Sequence, residues 1–170
     1  LGTATGLPSG HWMQIASIAV RRNGSDLAKA VEAYVRVGVA LHDAFVNCWT
    51  WKYRFNLLRP VTYIRRYVDP AWSTFVNSPQ FPEYTSGHSV ASPAAAYALT
   101  RMFGAMPFVD DSPVPRGLPA RSFGSFDDAA AEAARSRLYG GIHYSMAIEE
   151  GLRQGEQIGR LVHARLRVLP

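Results

Sequence analysis

The sequence predicts an all-α fold, a helical bundle, on three observations. Its 170 residues fit a single domain able to bury a core. Apolar residues make up 48% of the chain, too many for a disordered segment. The apolar stretches are long and separated by Gly, Pro and Asn breaks. No stretch alternates as a half-buried strand does, and no internal repeat is visible.

The elements follow in order. Residues 1–10 carry Gly2, Gly6, Pro8 and Gly10 and read as an irregular lead-in. His11 to Val20 is apolar enough for a short helix, which Asn23-Gly24-Ser25 ends. Ser25 or Asp26 can cap the next one. From Asp26 to about Leu58 the pattern is helical, as one long helix or two, with Pro60 limiting its end. Val31, Tyr34, Val35, Val37, Val39, Leu41, Phe45, Val46, Trp49 and Trp51 leave few polar directions on that helix. A helix apolar all round is buried on all sides, so an upstream helical segment or a second subunit is expected to cover it. A short helix over Val61–Tyr67 is expected next. Residues 69–87 read as loop, and Ser89–Phe103 as an Ala-rich helix with Pro93 in its first turn. Residues 104–121 are a Pro/Gly-rich loop. Ser125 starts a helix reaching about Tyr139, Gly140-Gly141 interrupts, and a last helix runs from about His143 to Leu166.

The formal net charge is +5, with Lys29 and Lys52 as the only lysines. The arginines that supply most of the positive charge suit planar, bidentate contacts to oxyanions. They are scattered, which argues against a nucleic-acid footprint. No apolar run approaches the roughly 18 residues of a membrane span. Cys48 is the single cysteine, which excludes an internal disulfide and a cysteine metal cage, and it reads as a core residue. The chain begins at Leu1 rather than Met, so an upstream part is expected to have been cleaved or left out.

Three segments carry candidate chemistry. Lys52 and Arg59 are seven residues apart, two helical turns, which would set both cations on one face; the bland alternative is two solvated charges. Ser86-Gly87-His88 precedes a helix, where free N–H groups and the dipole favour an anion. A plain turn with a capping serine is the alternative there. Arg137 and His143 flank Gly140-Gly141, which can bend the chain so that they converge; otherwise they are a surface Arg and a core His. Taken together, three cations, a glycine-bearing helix start and two histidines make a site for a tetrahedral or trigonal-bipyramidal oxyanion.

These segments spell Lys-x6-Arg-Pro, Ser-Gly-His and Ser-Arg-x5-His in order. The set resembles the shared signature of vanadium-dependent haloperoxidases and the type 2 phosphatidic acid phosphatase superfamily, over roughly His42 to Gly155. Phe81-Pro82-Glu83-Tyr84, Leu138-Tyr139-Gly140-Gly141-Ile142-His143-Tyr144 and the upstream Gly10-His11-Trp12 look like bacterial members of the haloperoxidase branch. The resemblance implies a vanadate cofactor, whose place phosphate can take. Lys52, Arg59 and Arg137 would neutralise its equatorial oxygens, and Ser86 and the Gly87 amide would hydrogen-bond them. His143 would be the single metal ligand, and His88 would face the apical oxygen and help deprotonate hydrogen peroxide. The implied catalytic residues are His88, His143, Lys52 and Arg137. The substrates would be hydrogen peroxide, a halide (bromide or iodide before chloride) and a small organic acceptor. The resemblance also favours a secreted or periplasmic location.

One departure matters. The broader signature often carries an acid four residues after the last His, and here that position is Ala147. Glu150 or a backbone carbonyl remain as groups that would orient His143. Two alternatives stay open: an acid phosphatase working through a phosphohistidine, with His143 as nucleophile and His88 as acid, and a non-catalytic oxyanion-binding helical domain. Asp43, His42 and His163 read as structural or surface residues, and His11 as a packing or supporting one.

Overall fold

A computed structural model describes residues 7–166. Gly2 and Gly6 of the expected lead-in, and the chain start at Leu1, lie outside the described residues. Six α-helices dominate: α1 (Pro8–Arg22), α2 (Leu27–Phe55), α3 (Pro60–Tyr67), α4 (Gly87–Phe103), α5 (Phe126–Tyr139) and α6 (Ser145–Arg165). α4 is the hub. It packs on α6, α2, α5 and α1, and its Ala91, Ala94, Ala95, Ala96 and Ala98 are buried. The small side chains let several helices approach one axis closely. The core closes around this helix with Trp12, Ile15, Val37, Leu41, Val90, Leu99, Phe108 and Phe126.

α6 meets α4 along a glycine seam, Gly151, Gly155 and Gly159, spaced one turn apart. A Cβ at Gly155 would lie 2.1 Å from the Val90 carbonyl oxygen, and one at Gly151 would lie 2.7 Å from Ser89 Cβ. Only glycine permits that approach.

Several expectations are corrected. α1 starts at Pro8, because proline's fixed φ suits the first helical turn, so the lead-in ends three residues earlier than expected. Asp26, not Ser25, caps α2 by accepting the Lys29 amide at 2.8 Å. α2 is one helix and stops at Phe55. Asn56 closes it in the left-handed conformation (φ 48°), and Arg59 is the N-cap of α3. Lys52 and Arg59 therefore share no helical face; a turn brings them together. α4 starts at Gly87, which moves Pro93 from the first turn into the helix interior. Residues 104–121 are not all loop. Phe108–Asp110 (β1) pairs antiparallel with Arg121–Phe123 (β2), joined through a 3₁₀ turn at Val114–Arg116. Phe108 is what ties this hairpin down, stacking on Phe126 of α5 at 5.2 Å. His143 lies in the turn before α6 rather than in the helix. Ser125 caps α5 as expected, holding the Asp128 amide at 3.0 Å.

α2 is not buried on all sides within this chain. Ala33, Val37, Ala40, Ala44 and Cys48 face the core, whereas Val31, Val35 and Val46 are exposed. Among the described residues no helix is long and apolar enough to cross a membrane.

Candidate functional site

The site forms where the C-terminal end of α2, the N-cap of α3, the start of α4, the end of α5 and the turn before α6 meet. Loop 81–86 threads through the middle. Lys52 is the last inward residue of α2 and is fully buried. Its ammonium donates to the carbonyls of Pro82 (3.0 Å), Glu83 (2.9 Å) and Thr85 (2.5 Å). Three donors meet three acceptors, so Lys52 spends its hydrogen bonds on the loop and reaches the rest of the site only through its charge. Burial nonetheless lowers its pKa to about 8.

Arg59 works in the same manner. Its Nε donates to Phe81 O at 2.9 Å and its Nη1 to Ile142 O at 2.9 Å. The Phe81 ring lies between the two cations, 5.3 Å from Lys52 Nζ and 5.0 Å from Arg59 Cζ, and packs on Trp49 at 5.1 Å. Aromatic faces compensate part of the lost hydration of both charges.

Glu83 supplies what the sequence left open. Its side chain is fully buried, and Oε1 lies 2.6 Å from His143 Nδ1 while accepting the Tyr144 amide at 3.1 Å. On the other side of the ring, Arg59 Nη1 lies 3.1 Å from His143 Nε2. A guanidinium can only donate, so Nε2 must offer a lone pair, and Nδ1 must carry the hydrogen that Glu83 accepts. Two neighbours thus select one tautomer. Burial, then the charges of Arg59, Lys52 and Arg137, push the His143 pKa down to about 2, so the ring is neutral. Burial likewise raises Glu83, to about 7, against the Tyr144 hydrogen bond and the two cations. Its Oε2 is buried with no partner among the described residues. Glu150 does not orient His143; it pairs with Arg153 on the surface at 2.8 Å. Ala147 contributes only its carbonyl, which accepts the Ser86 amide at 3.1 Å.

The other half of the site is less committed. Ser86 is the N-cap of α4 but makes no side-chain capping bond, so the first-turn amides are left for an anion. The Gly87 backbone passes Trp49 closely; an added Cβ would lie 3.6 Å from its ring. The Arg137 side chain bonds only its neighbour, Nε donating to Ser136 Oγ at 3.0 Å, among the described residues. His88 is neutral. Burial, then Arg137, His143 and His11, take its pKa down to about 3. His88 and Arg137 line a cavity of about 340 Å³ that extends between α1, the β1–β2 hairpin and α5.

All seven residues expected from the sequence fall in one region; of them His88 and Arg137 line the cavity, and Lys52, Arg59, Ser86, Gly87 and His143 are not in its lining. The donor set is cations, amides and a hydroxyl with one imidazole lone pair. It repels a bare cation and suits an oxyanion. Glu83 was visible within Phe81–Tyr84, but a loop carries no periodicity to say which way it points.

The family model for the VCPO second helical-bundle domain matches residues 32–70 and 67–169. Among solved structures, a bacterial vanadium-dependent iodoperoxidase is similar at 53% identity and a TM-score of 0.93; the match covers 94% of this chain and 39% of that one. A bacterial vanadium-dependent chloroperoxidase in its holo form shares the fold at 21% identity and a TM-score of 0.69, over 92% of this chain and 40% of that one. Its apo form aligns at 23% identity and a TM-score of 0.67, over 79% and 36%. The chain therefore spans about two fifths of the length of the structures it matches. No curated protein matches it.

Proposed function

The chain belongs to the VCPO second helical-bundle domain family, and from that premise we propose that it is the oxyanion-binding part of a vanadium-dependent haloperoxidase. Its work is the oxidation of iodide or bromide by hydrogen peroxide. The observation that carries this reading is the clamped His143. Glu83 holds Nδ1 and leaves the Nε2 lone pair facing Arg59, and the Arg137 charge also bears on the ring. Iodide comes first because the 53% identical structure is an iodoperoxidase.

In this reading His143 Nε2 is the one protein ligand of vanadate. Arg59, Arg137, the Ser86 hydroxyl and the Gly87 amide hold its oxygens, and phosphate competes for the same donors. Vanadate bound there supplies a Lewis-acidic centre at which hydrogen peroxide is activated for two-electron halide oxidation. Arg59 Nη1, which lies against Nε2 at 3.1 Å, would donate to an oxygen of the bound oxyanion. Lys52 holds loop 81–86 in shape and adds positive potential. His88 is neutral and lines the cavity beside Arg137, where its ring would hydrogen-bond and orient incoming peroxide. Glu83 keeps His143 from rotating and raises its basicity toward the metal.

The test is bromide and iodide oxidation by hydrogen peroxide, with and without orthovanadate, beside a phosphomonoester assay. Vanadate-dependent halide oxidation is expected, and His143→Ala is expected to abolish it. A variant that keeps the parent rate would remove the ligand assignment.

One observation favours a second reading. An acid phosphatase needs a carboxylate behind its nucleophilic histidine, and Glu83 provides one despite Ala147. Vanadate separates the two, activating the first and inhibiting the second.

A further inference from the structure

His11 and Asp110 form a pair that the oxyanion site does not use. They come from α1 and β1, 99 residues apart, and His11 Nε2 lies 2.6 Å from Asp110 Oδ2. Asp110 is held from the far side as well. Its Oδ1 accepts the Ser112 hydroxyl at 2.6 Å and the Ser112 amide at 3.1 Å. The Asp110 side chain is 2% exposed, whereas that of His11 is 30% exposed. Burial works against the Asp110 charge, but the hydrogen bonds from His11 and Ser112 outweigh it and hold the carboxyl below its ordinary range. The next residue fixes the helix that carries His11: Trp12 Nε1 donates to Ser92 Oγ of α4 at 3.0 Å. Because Asp110 accepts at Nε2, the hydrogen of the neutral ring sits there, and Nδ1 has no protein partner among the described residues.

His11 and Asp110 line the same 340 Å³ cavity as His88 and Arg137. The other charged groups facing it are Arg121 of β2 and Glu132 of α5, which pair with each other at 2.7 Å. α2, which also packs on α1, adds none. Arg137 keeps its charge, and Arg121 and Glu132 are tied together. Burial, then Arg137, His143 and His11, hold the His88 pKa near 3, too low to store a proton at working pH.

The chemistry of the proposed reaction makes a demand on this cavity. When hydrogen peroxide oxidises a halide X⁻, the O–O bond breaks and an O–X bond forms. The halide gives up two electrons and the peroxide takes them. One oxygen leaves as water and the other as HOX. Balance requires one proton from outside: X⁻ + H₂O₂ + H⁺ → HOX + H₂O. We propose that His11, set by Asp110, is the residue through which that proton enters the cavity from solvent. It is a partly exposed imidazole lining the cavity that His88 and Arg137 also line, with a carboxylate behind it to stabilise the charged ring. The proposal rests on the haloperoxidase reading above.

The test uses the full-length protein saturated with vanadate. His11→Gln is expected to keep vanadate affinity within about twofold by equilibrium dialysis while lowering kcat for halide oxidation about a hundredfold at neutral pH. Added imidazole buffer should restore part of the loss. Asp110→Asn, which leaves His11 in place but unanchored, should lower kcat less than His11→Gln does, with imidazole buffer again restoring part of the loss. In the vanadate-free protein, ¹⁵N NMR should find the neutral His11 ring protonated at Nε2. An active parent with His11→Gln and Asp110→Asn matching its rate and pH profile overturns this proposal alone. A ring protonated at Nδ1 does the same. A vanadate-loaded parent that oxidises no halide overturns the haloperoxidase reading and this proposal with it.

Discussion

The two halves of the site handle charge in opposite ways: Lys52 and Arg59 are buried, and Arg137 is half-buried. On the Lys52–Arg59–Glu83–His143 side, the cations are matched to backbone carbonyls, and the histidine is gripped at both nitrogens. On the Ser86–Gly87–His88–Arg137 side, the helix start carries no side-chain cap, and among the described residues Arg137 bonds only its neighbour. A buried charge with every donor matched fixes backbone geometry. One with spare donors is held ready for a ligand, and its deletion harms binding more than folding. The difference separates stability from function residue by residue, and it can be attacked from either side.

The largest effect is expected at Lys52. Lys52→Met fills the same space but leaves the carbonyls of Pro82, Glu83 and Thr85 without their shared donor. Unfolding stability in urea should fall by about 3–5 kcal/mol, the range for breaking a buried charged network. A loss under 1 kcal/mol would show that Lys52 does not hold the loop. Arg137→Gln should do the reverse. Stability should change by less than about 1 kcal/mol, while phosphate or vanadate affinity, followed by calorimetry, should drop at least about tenfold. If Arg137→Gln unfolds the protein and leaves the anion titration unchanged, the two halves are not distinct.

Glu83→Gln sharpens the comparison from inside the gripped half. An amide can still face Nδ1, but it carries no charge and can flip to present its NH₂ group. Vanadate affinity should fall about tenfold, the lower end for outer partners of metal-bound histidines. NMR of the imidazole should show a mixture of tautomers. A single unchanged tautomer would mean that Arg59 alone selects it.

A smaller effect should appear in acid. His88 and His143 have folded pKa values near 3 and 2, against 6.5 for an unperturbed imidazole. Below pH 6.5 the unfolded chain binds protons that the folded chain refuses. The part of stability that depends on these two rings should therefore rise with pH from about 2 to 6.5 and flatten above, offset between about 4.5 and 7 by Glu83, whose folded pKa is raised to about 7. The carboxyl of Asp110 is also shifted down, below its ordinary 3.8, which for an acid favours the charged form. Its contribution is present above that value and lost as pH falls through the folded pKa. Melting temperatures of His88→Gln and Asp110→Asn, measured between pH 3 and 7, should each show a shallower acid slope than the parent.

The bundle and the three signature segments were legible because both rest on local pattern: long apolar helices between breakers, and side chains at fixed spacing. The errors have equally local causes. The seven-residue interval from Lys52 to Arg59 suits a helix, but Asn56 in the left-handed conformation and Pro60 at a helix start break it into two elements. The strands Phe108–Asp110 and Arg121–Phe123 are three residues each, too short to show alternation; their pairing depends on Phe108 finding Phe126. Glu83 and His11 act on partners 60 and 99 positions away, and no spacing rule reaches that far. The exposed Val31, Val35 and Val46 tell the same story in reverse. Their apolar character was plain, and what it packs against is not written in these residues.

The glycine seam between α4 and α6 bears on how the pocket is gauged. At Gly151 the missing side chain would lie 3.3 Å from Ser86 O and 2.7 Å from Ser89 Cβ, so α6 rests almost directly on the turn that offers its amides to the anion. Most helix pairs are separated by side chains that can change rotamer and act as springs. Here backbone bears on backbone, and the spacing between the Ser86–His88 turn and His143 behaves as a rigid shim. A methyl group at position 151 would thicken that shim by a few tenths of an ångström. The aperture would then be retuned from behind, with every residue that touches the ion left as it was.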